Sequence, residues 1–273
     1  MNNVKIAFIG AGNMNGAIIK GLVANGYPAD NIIVSNPSLE KREALHQSLG
    51  IRHTANNAEA ATFADFIVLG VKPHLIHEVC ESLKDIIVAG NKTVLSVAAG
   101  VTLESMQKRL GNIAIVRTMP NTPSQVGLGV TGLFASTECE QVQKDTAGMI
   151  MASVGNIVWL DSEDDIDHVI AISGSGPAYF FLFMEALEEQ ALALGFSANQ
   201  AREMVQQTAL GAATMVRDNP ELSIETLRQN VTSKGGTTNA AIEKMKSDHI
   251  PQHIKAGALE ALARAKEMAA ANK

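Results

Sequence analysis

The spacing of apolar positions changes character partway along the chain. Up to about residue 160, short continuous apolar runs recur between stretches with helical spacing. Val4-Lys-Ile-Ala-Phe-Ile9, Asn31-Ile-Ile-Val34, Phe66-Ile-Val-Leu-Gly70, Thr93-Val-Leu-Ser-Val97, Ile113-Ala-Ile-Val116 and Ile157-Val-Trp-Leu160 are such runs. Each is short and rich in β-branched residues, which suits a buried strand better than a helix. The apolar pattern also resumes over residues 130–134. Between the runs, Met14, Ala17, Ile18, Gly21 and Leu22 fall at helical spacing and stop near Gly26. Thr137-Glu-Cys-Glu140 reads as a capping box opening a helix to about Ala152. Repeated strand–helix units of this kind predict an α/β domain with a parallel, doubly wound sheet.

After Asp161-Ser-Glu-Asp-Asp165 the strand runs stop. Ser173-Gly-Ser-Gly-Pro177 opens a long apolar helix ending at Gly195, with Pro177 early, where its missing N–H costs nothing. Ser197-Ala-Asn-Gln200 is a second capping box, opening a helix to about Arg217. Helical spacing continues over residues 224–229, 240–246 and 254–270. The acidic segment therefore sets the expected division, residues 1–162 for the α/β domain and 163–273 for an all-α domain. The helix over residues 180–194 is apolar on more than one face, with Phe181, Leu182, Met184 and Ala186 joining Phe180, Phe183 and Leu187. A helix of that kind is covered on several sides. In a half of about 110 residues the expected cover is a second copy of the chain, giving a homo-oligomer.

At 273 residues the chain is long enough for two domains. A net charge of −6 argues against a nucleic-acid partner, because phosphate backbones are held by basic surfaces. Cys80 and Cys139 lack metal-ligand spacing, and with no signal-peptide pattern they fit a reducing cytoplasm. No apolar run approaches the roughly 20 residues that span a bilayer, so no membrane partner is expected. His74 and His77 lie three apart without a third ligand and read as surface residues, so no metal is expected either.

Two glycine turns carry the candidate chemistry. Gly10-Ala-Gly12 follows a strand and opens a helix, the context in which such a turn binds a dinucleotide pyrophosphate. Asn15 stands where a third small residue is usual, with Gly16 one position late. The second strand ends in Ser35-Asn-Pro-Ser38 with Lys41 and Arg42 nearby. That end lacks the acidic residue that holds a ribose 2′-hydroxyl and suits a 2′-phosphate, so NADPH is expected ahead of NADH. Lys72, at the carboxyl end of another strand, is a further candidate cofactor contact. The other turn lies in Asn230-Val-Thr-Ser-Lys-Gly-Gly-Thr-Thr-Asn239, just before a helical pattern. Gly235 and Gly236 between hydroxyl residues can bind an anion with backbone N–H groups, or can simply cap an interhelical turn. Among the remaining residues there is no HExxH, no CxxC and no evident acid–base constellation. Reducing a ketone needs a proton donor, whereas a protonated imine needs mainly position and orientation. The residues alone therefore point to an NADP-dependent reductase of a small carboxylate, with an imine as the candidate substrate.

Taken together, Ile9-Gly-Ala-Gly-Asn-Met14, Val71-Lys-Pro73, residues 96–100, Met119-Pro-Asn-Thr-Pro123, Ser173-Gly-Ser-Gly-Pro-Ala-Tyr179 and residues 231–238 occur in an order that closely resembles the pyrroline-5-carboxylate reductases. The resemblance covers essentially the whole chain. It implies a Rossmann domain followed by a helical dimerisation domain, with dimers often assembled into a decamer. It implies reduction of the cyclic imine 1-pyrroline-5-carboxylate to L-proline by NADPH or NADH. By the same resemblance, Ile9, Gly10, Ala11, Gly12, Asn13 and Met14 form the cofactor loop, and Asn36 lies in the 2′-phosphate region. Asn57, Val71, Lys72, Ala99 and Asn230 match other cofactor contacts. Ser233, Gly236, Thr237 and Thr238 match the substrate site, with Thr238 contacting the imine nitrogen directly or through water. Lys234 replaces a proline found in some members and is given no catalytic role.

Two alternatives share parts of this pattern. A β-hydroxyacid dehydrogenase or imine reductase would place a lysine or acidic residue early in the interdomain helix, where the first acidic residue after Pro177 is Glu185. A non-catalytic NADP-sensing regulator would have no use for a second hydroxyl-lined turn.

Overall fold

Buried apolar runs and amphipathic helices alternate through the first 175 residues of the computed structural model, which describes residues 4–271. In chain order these are β1 (Ile6–Ile9), α1 (Asn13–Ala24), β2 (Ile32–Ser35), α2 (Leu39–Leu49), β3 (Arg52–Thr54), α3 (Asn57–Phe63) and β4 (Phe66–Leu69). They continue as α4 (Ile76–Ala89), β5 (Thr93–Ser96), α5 (Leu103–Leu110), β6 (Ile115–Met119), β7 (Gly129–Ala135), α6 (Gln141–Ala152), β8 (Gly155–Trp159) and α7 (Asp165–Val169). The strands form one sheet in the order β3-β2-β1-β4-β5-β6-β7-β8. From β3 to β6 every pairing is parallel, as the doubly wound expectation requires.

Both faces of this sheet are covered. Ile6 and Phe8 of β1 pack in one cluster with Ile18, Leu22 and Ile150, while Ala7 and Ile9 pack in the other with Ile67, Leu83 and Met106. Alternate residues of one strand thus enter different cores, and this is why the strands read as continuous apolar runs.

Three details differ from the pattern reading. β7 is antiparallel to β6, and β8 follows β7 in parallel. The segment joining β6 to β7 contains only a short 3-10 turn (Thr122–Val126), too little for the crossover a parallel neighbour needs. β3 is a further strand, short and partly exposed at the sheet edge, so no apolar run marks it. The capping box of α6 lies three residues later than expected. It joins Glu140 to Gln143, whose side chain accepts the Glu140 N–H at 2.8 Å. Cys139 is buried, with Sγ donating to Ile115 O at 3.4 Å, and so holds the preceding residues in a turn against the sheet.

Arg117, in the middle of β6, is nearly inaccessible and pairs with Glu163 at 2.9 Å and Asp167 at 3.4 Å. Glu163 also accepts the Leu103 N–H at 2.7 Å. The acidic segment is therefore fastened to the sheet, and residues up to Ser175 belong to the same compact unit as residues 260 onward.

The second compact unit is Gly176–Leu259. It contains α8 (Gly176–Ala193), α9 (Ala198–Asp218), α10 (Ile224–Asn230), α11 (Thr237–Ser247) and the start of α12 (Ile250–Ala271). Ser197 and Gln200 form the expected box at the start of α9. Contrary to the expectation of no long apolar run, the helical stretch Asp165–Ala193 is long and apolar enough to cross a membrane by length and composition alone. Its apolar side chains are largely uncovered in the single chain, Phe180 being 71% and Leu182 67% exposed.

Candidate functional site

The carboxyl ends of the central parallel strands are level with one another. Ile9 is paired with Ser35 and with Leu69, and Leu69 with Ser96. The residues that follow, Gly10, Asn36, Gly70 and Val97, therefore share one edge of the sheet. β1 and β4 are neighbours there, and the chain order reverses between them, which is where doubly wound sheets bind ligands.

Gly10 leaves β1 with φ +100°, and a Cβ on it would lie 2.7 Å from Gly70 O. Only glycine fits on both counts. Its N–H donates to Ser35 O at 2.7 Å. Ala11 N–H donates to Asn36 Oδ1 at 3.1 Å. Gly12 is the N-cap of α1 with no side-chain cap, so the first-turn N–H groups that include Asn13 and Met14 are left for a ligand. These features fit a dinucleotide pyrophosphate: a bare backbone, a helix N-terminus and the switch point of the sheet.

The other expected cofactor residues of this unit lie on the same edge. Asn36 follows β2, and its carbonyl and that of Pro37 accept from Arg42 Nη1 at 2.8 and 3.0 Å. Asn57 opens α3, and its Oδ1 accepts from the buried Ser35 hydroxyl at 2.6 Å. Val71 is half-buried after β4, and exposed Lys72 caps the short 3-10 turn Pro73–Leu75. Ala99 is half-buried just past β5.

Asn121 joins two motif segments that the pattern reading left separate. Its Nδ2 donates to Ser173 O at 3.0 Å and its Oδ1 accepts Val130 N–H at 2.9 Å. An asparagine directly after Pro120 at a strand end was the available signal. Groups with strongly displaced pKa values lie elsewhere. Burial pushes Tyr27, just after α1, and Cys80, within α4, each up to about 12, with the Asp65 charge adding to the effect on Tyr27.

In the second unit the 230–239 segment forms the other glycine turn. Gly235 has φ +76°, and Gly236 N–H donates to Ser233 O at 3.0 Å. Gly236 is then the N-cap of α11, again without a side-chain cap. The N–H groups of Thr237, Thr238 and Asn239 are consequently the unpaired donors of the first turn. Thr237, Thr238 and Ser233 are exposed, as are Lys234 and Asn230, the last residue of α10. The Thr232 hydroxyl is already committed to Arg228 O at 2.6 Å. The anion-turn alternative thus has the donors it needs, with hydroxyls at the surface beside them.

A cavity of about 480 Å³ lies between α8 and α9, lined by Phe181, Met184, Glu188 and Arg202 among others. It holds neither glycine turn, and its walls mix apolar and charged side chains of both helices.

Residues 163–268 match the family model described as pyrroline-5-carboxylate reductase dimerisation, and residues 5–100 match that described as NADP oxidoreductase coenzyme F420-dependent. The helical half is thereby the oligomerisation region, which accounts for the uncovered face of α8. The chain is 49% identical to the pyrroline-5-carboxylate reductase of Vibrio alginolyticus, over 98% of each protein. It is similar to the solved pyrroline-5-carboxylate reductase of Coxiella burnetii, with TM-score 0.93, 46% identity, and 97% and 98% of the two chains covered. It also resembles the Plasmodium falciparum enzyme solved with NADP bound, with TM-score 0.86, 28% identity, and 98% and 99% covered.

Proposed function

The chain belongs to the pyrroline-5-carboxylate reductase family, and we propose from its own residues how it performs that family's reaction, the NAD(P)H-dependent reduction of 1-pyrroline-5-carboxylate to L-proline. Residues 1–162 serve the dinucleotide, and residues 163–273 serve assembly and the substrate. The homo-oligomer is built from dimers through the helical half, with the decamer as its larger form, and the enzyme works in the cytoplasm.

The observation that carries the reading is the α11 N-terminus, where uncapped Gly236 leaves backbone donors beside the exposed hydroxyls of Thr237 and Thr238. These donors hold the substrate carboxylate, with Ser233 at the edge of the same turn. Thr238 contacts the ring nitrogen, directly or through water. An iminium nitrogen already carries its proton and charge, so these residues need only bind and orient the ring. The nicotinamide, when bound, supplies the hydride that neutralises that charge at the imine carbon.

On the cofactor side, Gly10, Ala11, Gly12, Asn13 and Met14, with Ile9 as the strand end, hold the pyrophosphate. Asn36 serves the 2′-phosphate, favouring NADPH. Asn57, Val71, Lys72, Ala99 and Asn230 complete the cofactor contacts. The hydroxyacid-dehydrogenase and regulator alternatives are not favoured, since relatives matched over nearly the whole chain bear the reductase name.

The test is loss of NADPH absorbance with pyrroline-5-carboxylate, run in parallel with NADH. Turnover is expected with the imine and faster with NADPH. Silence with the imine alongside turnover of a 3-hydroxyacid would overturn the reading.

A further inference from the structure

The glycine loop after β1 is fastened by a side chain that its motif does not call for. Asn15, fully buried in the first turn of α1, donates from Nδ2 to Gly10 O at 2.7 Å and to Ile9 O at 3.2 Å. Ile9 O also accepts the Gly70 N–H at 3.0 Å, so both of its lone pairs are engaged. On the other side of the Gly10–Ala11 peptide, Asn36 Oδ1 takes the Ala11 N–H at 3.1 Å. One peptide unit is therefore gripped at its oxygen by one asparagine and at its nitrogen by another. Gly10 would otherwise let that unit rotate at little cost.

Room for Asn15 comes from Gly70. A Cβ on Gly70 would lie 2.2 Å from Asn15 Oδ1, 2.3 Å from Cγ and 2.4 Å from Nδ2. The amide therefore occupies the space that a side chain at position 70 would need. Gly70 has no positive φ, so it is the Asn15 side chain that excludes alanine there. The usual small residue at position 15 serves close helix–strand packing. In this chain the residue without a side chain at that contact is Gly70.

We propose that Asn15, seated on Gly70, is a positioning residue for the cofactor. It fixes the Gly10–Ala11 peptide with its carbonyl turned into the protein, so that no carbonyl dipole opposes the pyrophosphate at the α1 N-terminus. This rests on the dinucleotide reading of the loop given above.

The test uses the full chain as wild type, Asn15→Ala, Gly70→Ala and the double variant. NADPH dissociation constants come from fluorescence titration, and kcat and both KM values from steady-state assays. For Asn15→Ala, NADPH Kd and KM rise about tenfold, while kcat at saturating NADPH and KM for the imine stay within about twofold. Gly70→Ala weakens NADPH about tenfold beside Asn15, but about twofold or less once position 15 is alanine, because the obstructing amide is gone. If Gly70→Ala alone fails to fold while the double variant folds, the interlock is supported. If neither folds, the Asn15→Ala titration decides. Unchanged NADPH affinity in Asn15→Ala with only a lower melting temperature would overturn the proposal, as would an equal Gly70→Ala loss in both backgrounds. A wild type that binds no NADPH would instead sink the cofactor reading and take this inference with it.

Discussion

The Ala11 N–H donates to Asn36 Oδ1 across 3.1 Å, tying the glycine loop to the end of the second strand. Arg42 in turn holds the carbonyls of Asn36 and Pro37. The residue proposed to meet the 2′-phosphate therefore also shapes the pyrophosphate loop. Asn36→Asp keeps an acceptor for Ala11 but adds a negative charge where the phosphate would sit. KM for NADPH should rise at least tenfold, about 1.4 kcal/mol, while KM for NADH changes less than about threefold. Equal losses with the two cofactors in steady-state assays would show that Asn36 matters only for loop shape.

Gly236 and Gly12 share one backbone conformation, φ −78° with ψ 172° and 175° respectively, and each opens a helix without a side-chain cap. What distinguishes the second is the hydroxyl pair that follows. Thr238→Ala should lower kcat/KM for the imine by more than about tenfold and leave NADPH affinity unchanged, while Thr238→Ser retains most of the activity. A drop below about threefold, under ~0.7 kcal/mol, would remove Thr238 from contact with the reacting ring.

The parallel sheet was legible because both faces of each central strand are buried, so Ile6, Ala7, Phe8 and Ile9 all had to be apolar. β3 was not, since an edge strand with Arg52 exposed leaves no apolar signature. The reversed direction of β7 depends on the connection after Met119, which apolar spacing does not record. Both glycine turns were readable from composition and context. The long-range contacts around the first were not: Asn15 with Gly70, Gly10 with Ser35 and Ala11 with Asn36 join residues distant in the chain. Asn15 looked like a defect in the motif because its compensating glycine lies more than fifty residues away.

The uncovered side chains of α8 set the assembly prediction. Phe180, Leu182 and Phe183 are 71%, 67% and 50% exposed in the single chain, within the region matched as the dimerisation domain. Apolar surface of this extent on one helix is covered in an oligomer. Leu182→Glu should shift the species seen by size exclusion with light scattering toward monomer, because a carboxylate there is desolvated at the contact. An unchanged mass at micromolar concentration would place the contact on another face.

Arg117 predicts a stability loss. Its side chain is 3% exposed, and Glu163 and Asp167 are its charged partners, the former also holding the start of α5 through Leu103. Glu163→Ala removes the shorter of the two ion pairs and the acceptor of the Leu103 N–H, and leaves Asp167 at 3.4 Å to balance the buried cation. It should therefore destabilise the protein by about 1–3 kcal/mol, seen as a lower urea midpoint. Arg117→Met, which removes the buried cation itself, should cost less. A Glu163→Ala variant as stable as wild type would mean that Asp167 alone satisfies the arginine.

Alkaline stability follows from Cys80 and Tyr27. Burial raises both pKa values to about 12, and the Asp65 charge adds to the effect on Tyr27. In the unfolded chain a thiol ionises near 8.5 and a phenol near 10, roughly. Above those values the unfolded state releases protons that the folded state keeps, so folding loses free energy as pH rises toward 12. Below about pH 8 the contribution is fully present. The urea midpoint should therefore fall between pH 8 and pH 10.5, and it should fall less in Cys80→Ala, whose position no longer titrates. The native thiol should also resist a disulfide reagent at pH 8 and react once the chain is unfolded, since Cys80 has no exposed surface. An alkaline fall of the same size in wild type and Cys80→Ala would show that the buried thiol contributes nothing to it.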